Sequence, residues 1–191
     1  MKHALILTGK YATDCEYVYP YYRLQEAGFK VDVATRGAET VYGIIGEKIV
    51  PSLDIPLVGM KSKGYRCELL VLPGGAKAME YMRQDQEILD TIAWHHANGG
   101  VIASICHAAQ LLISAKLVKG RRISGYYSIK DDIENAGGIY VDEPAVVCDR
   151  IVTTAHYKHM GPWMAAALRE VAHDYRPPPP PDIGGIAKKG L

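Results

Sequence analysis

Short apolar runs alternate with helical patterns along most of this chain, and that alternation leaves few architectures open. His3–Leu7, Lys30–Ala34, Leu69–Leu72 and Val101–Ile105 are apolar-rich stretches of strand length. Glu16–Ala27, Gln84–Ala97 and Ala108–Leu117 read as helices, with Gly28 and Asn98-Gly-Gly100 as stops after the first two. Strands apolar on both faces belong to parallel sheets covered on both sides, so the expected class is α/β, a doubly wound, mostly parallel sheet with helices on both faces. Val41-Tyr-Gly-Ile-Ile-Gly46 followed by Lys48-Ile-Val50 reads as a small inserted hairpin. Downstream, the pattern predicts strands near Arg122–Ser124, Ala145–Cys148 and Arg150–Thr153, and helices near Ile129–Asn135 and Pro162–Ala172. Ligands of such sheets bind at the carboxyl ends of strands, which places the Thr8–Cys15 loop, Pro73-Gly74-Gly75 and Cys106 on one edge.

A chain of 191 residues suits one well-buried domain, expected over 1–174, with a proline-rich extension over 175–191. Pro177 to Pro181 imposes polyproline II at the start of that extension. The 22 basic and 21 acidic residues leave a net charge of +1 with no long basic cluster, which argues against nucleic-acid and membrane surfaces. The start of the chain is too short in apolar residues for a secretory segment, and no run suits a membrane span, so the expected location is the cytoplasm. Cysteines 15, 67, 106 and 148 show no C-x-x-C or zinc spacing, as expected of reduced thiols.

Cys106-His107 lies between the Val101–Ile105 run and the following helix, as a nucleophile on a strand-to-helix turn would, with small residues Ser104 and Ala108 on either side. A thiol at the start of a helix faces free N–H groups and the positive end of the dipole, which predicts a lowered pKa. The backbone N–H of His107 is then available as an oxyanion donor. The plainer alternative is an inert core cysteine.

Leu72-Pro-Gly-Gly75, Glu80, Ser104-Ile-Cys-His107 and Lys119-Gly-Arg-Arg122 occur in one order, together with Pro20-Tyr-Tyr-Arg-Leu24 and Lys130-Asp-Asp132. On these motifs the chain resembles the ThiJ/PfpI superfamily of DJ-type proteins, and its PfpI-like branch, from about Lys2 to Ala172. The resemblance implies a flavodoxin-like, glutamine amidotransferase-like fold, with Cys106 as nucleophile and His107 as its neighbour. It implies that Glu80 reaches across a subunit interface to orient the histidine, hence a homodimer or higher homo-oligomer; otherwise Glu80 is a solvated acid near the start of the 84–97 helix. The amide of Gly75 would complete the oxyanion hole with that of His107. Glu16 matches the family's acid beside the nucleophile's sulfur, which would be protonated there and act as general acid or base. Its alternative is a capping box, Thr13-Asp-Cys-Glu16, against which the position of Pro20 speaks if the helix starts later.

The chain departs from the family pattern at Cys106-His-Ala-Ala109, at Tyr126-Tyr127 and at Thr154-Ala-His-Tyr-Lys-His-Met160. Tyr126, His156 and His159 are candidates for substrate contact, and the two histidines also for proton shuttling or, with Cys106, a metal. No third ligand is evident, so no metal and no cofactor are expected. The expected activity is that of a cysteine hydrolase or lyase acting on a small electrophilic carbonyl compound, glyoxalase- or deglycase-like, through a covalent Cys106 intermediate. The alternatives are a PfpI-like intracellular peptidase, amide hydrolase or hydratase, and a redox sensor or chaperone with an oxidisable Cys106.

Overall fold

A computed structural model describes residues 1–55 and 65–173; the proline-rich extension expected over 175–191 lies outside the described residues. Its centre is a seven-stranded sheet. In chain order the strands are β1 (Lys2–Leu7), β2 (Phe29–Thr35), β3 (Val41–Tyr42), β4 (Lys48–Ile49), β5 (Leu53–Asp54), β6 (Leu69–Leu72), β7 (Val101–Ile105), β8 (Arg122–Ile123), β9 (Ile139–Tyr140), β10 (Val146–Cys148) and β11 (Ile151–Thr154). The helices are α1 (Asp14–Glu26), α2 (Ala76–Met82), α3 (Gln86–Ala97), α4 (Ala109–Ser114), α5 (Lys130–Asn135) and α6 (Met160–Ala172).

The sheet order is β10-β11-β7-β6-β1-β2-β5, and every pairing is parallel except β10 with β11. From β1 the chain steps one way to β2 through α1, then returns to β6 and steps the other way to β7 through α2 and α3. Crossovers of this kind are right-handed, so opposite steps place α1 and α3 on opposite faces. Consistent with that, α1 touches α6, and α3 touches α4. The central strands are buried throughout, β6 and β7 without an accessible residue, which is why their sequences run apolar rather than alternating. Trp163 of α6 is fully buried, and its indole N–H donates to the Val152 carbonyl at 3.1 Å.

The inserted hairpin is present as β3 paired antiparallel with β4. Two expectations change. Residues 76–82 form a helix of their own, so Glu80 belongs to α2, and the next helix starts at Gln86, where the Asp85 side chain accepts from the Glu87 N–H. The helix after Cys106 ends at Ser114 rather than Leu117. The strand at Arg122–Ile123 pairs with β9 in a small separate sheet. Among the described residues, no helix is long and apolar enough to cross a membrane.

The hairpin is tied to the first turn of α1 by Asp14, whose carboxylate accepts from the N–H groups of Ile45 at 3.0 Å and Glu47 at 2.7 Å. Burial would raise the Asp14 carboxyl, but these N–H groups outweigh it and hold the pKa below its ordinary value. Asp14 therefore adds stability above its unfolded pKa, lost as pH falls through the folded one. Asp14→Ala is expected to cost about 1–3 kcal/mol at neutral pH, seen as a lower midpoint in thermal unfolding, with the difference from wild type shrinking in acid.

Candidate active site

Three adjacent strand ends, those of β1, β6 and β7, assemble the candidate site at the point where the strand order reverses. After β6, Gly74 and Gly75 bring backbone into close approach. A Cβ on Gly74 would lie 2.6 Å from Glu16 Oε2, 2.7 Å from the Ile105 carbonyl oxygen and 2.8 Å from Cys106 Cβ. Its N–H donates to Glu16 Oε2 at 2.9 Å, and its carbonyl accepts from the Thr13 N–H at 3.1 Å. Gly75 has φ +111°, and a Cβ there would meet the Tyr11 carbonyl oxygen at 2.7 Å. Only glycine suits either position.

Cys106 has φ +61°, a left-handed conformation that a non-glycine residue adopts only under constraint from its surroundings. The Cys106 carbonyl accepts from the Tyr126 N–H at 3.1 Å, which ties the turn to the segment after β8. The N–H groups of His107 and Gly75 face the sulfur closely enough to lower its pKa, and Glu16 faces it from α1.

Glu16 is completely buried. Burial pushes its carboxyl up to about 7, with the Gly74 N–H and the Cys106 thiol pulling the other way. Oε1 has no further partner. Burial likewise pushes the Cys106 thiol up, an ionised Glu16 adds to that, and the His107 and Gly75 amides oppose it. The expected lowering of the thiol pKa is thus corrected: a single 3-10 turn over Cys106–Ala108 before a six-residue helix offers too little to offset the desolvation of a buried sulfur. Thiol and carboxyl act as one coupled pair. Protonated Glu16 carries no charge to repel a thiolate and can donate its O–H to it.

The capping box is not formed, since the Thr13 side chain caps nothing and the Glu16 side chain turns inward to Gly74. The helix nonetheless starts right after Thr13 with Pro20 inside it, so the proline is no guide to this outcome.

His107 Nδ1 lies 3.3 Å from Cys106 Sγ, and Nε2 lies 3.4 Å from Ser128 Oγ. Its ring stacks on Tyr126, centroids 4.5 Å apart, and burial holds its pKa below the ordinary value. His156 lies near-parallel to Tyr126 and Tyr127, at 6.2 and 6.3 Å, and against Tyr157 at 4.0 Å. Burial, then Lys158 and His159, lower the His156 pKa. The structure therefore brings Cys106, His107, Glu16, Gly75, Tyr126 and His156 into one neighbourhood. His159 caps α6, its N–H bonded to the His156 carbonyl, without ring contact to the others. Glu80 stands exposed on α2, and no hydrogen bond or ion pair joins its carboxylate to His107. Among the described residues no three His, Cys, Asp or Glu side chains converge as a metal site would require. Sequence reasoning missed Gly74 as the partner of Glu16, and it missed Ser128; a hydroxyl two residues after Tyr126 was the available signal for the second.

A doubly wound sheet with a left-handed cysteine at the switch point, set between a buried carboxyl and an imidazole, defines a thiol-centred protein of the glutamine amidotransferase-like fold. The profile of the DJ-1/PfpI family matches residues 2–170, and the chain belongs to that family. It is 34% identical over 160 residues to the deglycase PfpI of Pyrococcus furiosus, covering 84% of this chain and 93% of that one. A Pyrococcus horikoshii protein, also named a deglycase, is 36% identical over 160 residues with the same coverage, 84% and 93%. Drosophila melanogaster DJ-1beta shares the fold, with a TM-score of 0.78 and 24% identity over 90% of this chain and 94% of its own.

A carboxyl raised from 4.5 to about 7 makes the folded state bind more protons than the unfolded one across that interval, so stability falls as pH rises through it. Glu16→Gln is expected to remove that decline, on the order of 3 kcal/mol, in urea unfolding curves measured from acid to neutral pH.

Proposed function

We propose that the protein is a cysteine-dependent enzyme acting on small electrophilic carbonyl compounds, such as an α-oxoaldehyde or its adduct with an amine, with no cofactor taking part. One observation carries the reading: a fully buried carboxyl held at about 7 beside a left-handed cysteine whose sulfur faces two amide N–H groups. The Pyrococcus relatives named deglycases support the substrate class.

In the first step, the Cys106 proton passes to ionised Glu16 or to His107 Nδ1, and the sulfur bonds to the carbonyl carbon. The C=O π pair moves onto oxygen, which takes hydrogen bonds from the Gly75 and His107 amides. Protonation of that oxygen gives a hemithioacetal. Glu16, titrating near neutrality, then suits removal of the proton from the carbon that bears the sulfur, whose C–H pair forms a C=C bond as the neighbouring carbonyl oxygen takes a proton. Return of a proton to the neighbouring carbon leaves a thioester, and water adds to it and breaks the C–S bond, releasing a 2-hydroxy acid and the Cys106 thiol. Tyr126 and His156 line the approach, and the His159 N–H donates to the His156 carbonyl at 2.9 Å.

The peptidase or amide-hydrolase alternative needs Glu80 of a second copy beside His107, and hence an oligomer. A fully active monomer would exclude it. Cys106→Ala is expected to abolish turnover of methylglyoxal, followed by the loss of the dicarbonyl, with the thermal midpoint kept. Turnover retained in that variant refutes the reading. Glu16→Gln is expected to lower kcat by roughly a hundredfold or more, the usual scale of a positioned acid–base group, with a smaller effect on KM.

A further inference from the structure

The imidazole of His107 is gripped at both nitrogens within its own chain, and its second partner comes from a part of the sequence to which the proposed chemistry assigns nothing. Ser128 sits in the single turn Tyr127–Ile129 that follows Tyr126. We infer that Ser128 is a positioning residue for His107, so that Cys106, His107 and Ser128 form a hydrogen-bonded chain inside one protomer. The inference deepens the proposed function and rests on it.

The hydrogen bonds dictate the tautomer. For Nδ1 to accept the Cys106 proton, the neutral ring must carry its hydrogen on Nε2, and the atom facing Nε2 must then accept. Ser128 Oγ lies 3.4 Å away, a long bond that leaves room to tighten when the ring becomes charged. Its own proton is free to point to solvent, since Ser128 is exposed. After proton transfer Nδ1–H faces the thiolate and Nε2–H still faces Oγ, so no group has to reorient. The stack on Tyr126 removes the remaining freedom of the ring. Tyr126 also holds the Cys106 carbonyl through its N–H, so one short segment, 126–128, fixes both the cysteine turn and the imidazole.

A neutral hydroxyl in this place has a consequence that a carboxylate would not have. It orients the ring without favouring its charged form, and burial already holds the His107 pKa below the ordinary value. His107 therefore works as a neutral acceptor near pH 7, complementary to a Glu16 that titrates there.

Alkylation of the full-length protein by iodoacetamide tests this without any choice of substrate. Peptide-level mass spectrometry separates Cys106 from the exposed Cys15. Ser128→Ala is expected to slow Cys106 alkylation near neutral pH by roughly fivefold, the scale of one neutral hydrogen bond, with the thermal midpoint unchanged. Ser128→Thr, which keeps the hydroxyl, is expected to restore the rate. Ser128→Asp is expected to shift the pH midpoint of alkylation, because a carboxylate favours the imidazolium. A Ser128→Ala rate within twofold of wild type overturns the inference. So does a Glu80→Gln variant slowed as much as Ser128→Ala, which would assign Nε2 to the neighbouring subunit. If Cys106 resists alkylation in the wild type while Cys15 reacts, both the inference and the nucleophile reading fall.

Discussion

A carboxyl removed from water beside a thiol is the constraint around which the rest of this protein is arranged. An isolated carboxylate in such a place is costly, and the protein leaves Glu16 one backbone donor, the Gly74 N–H, rather than a cation. The charge is consequently the variable part: the carboxyl titrates near neutrality, while burial holds the thiol's pKa up and the imidazole's down. Three strand ends must meet for this to exist: β1 delivers Glu16, β6 delivers the glycine pair and β7 delivers Cys106. The parallel sheet is what makes those ends coincide, because all three strands run the same way and finish on the same edge.

The aromatic wall is the second layer. Tyr126 stacks on His107, and Tyr127, His156 and Tyr157 continue from it ring to ring, drawn from two segments that follow β8 and β11. The thiol and its acid are held by buried backbone, whereas the wall is built from half-exposed side chains on single turns. The two layers meet at Tyr126, whose N–H holds the Cys106 carbonyl while its ring stacks on His107.

Much of this was legible in the sequence, for definite physical reasons. Leu69–Leu72 and Val101–Ile105 were read to the residue because buried parallel strands leave an uninterrupted apolar record. The 76–82 helix was not, because it starts directly from a left-handed glycine with no capping side chain, so none of the usual start signals is present. β5 and β9 are two residues long and leave no period to detect. At the site, Glu16 and Cys106 were visible as residue types in a familiar order. The direction of the thiol's pKa was not, because a dipole can be inferred from a helix start while desolvation depends on what the rest of the fold places overhead. Ser128 lay hidden for a similar reason: its importance comes from a ring 21 positions away.

Gly74 carries a consequence for reading related chains. The space its missing side chain leaves is claimed by a carboxylate oxygen, a main-chain oxygen and the cysteine's own β-carbon, all within 3 Å. No larger residue can stand there while both the acid and the thiol keep their places. A descendant of this chain with any side chain at that position must have moved the acid or the thiol, whatever its cysteine still looks like. The one atom that is absent at position 74 is a better witness to whether the chemistry survives than the reactive residue itself.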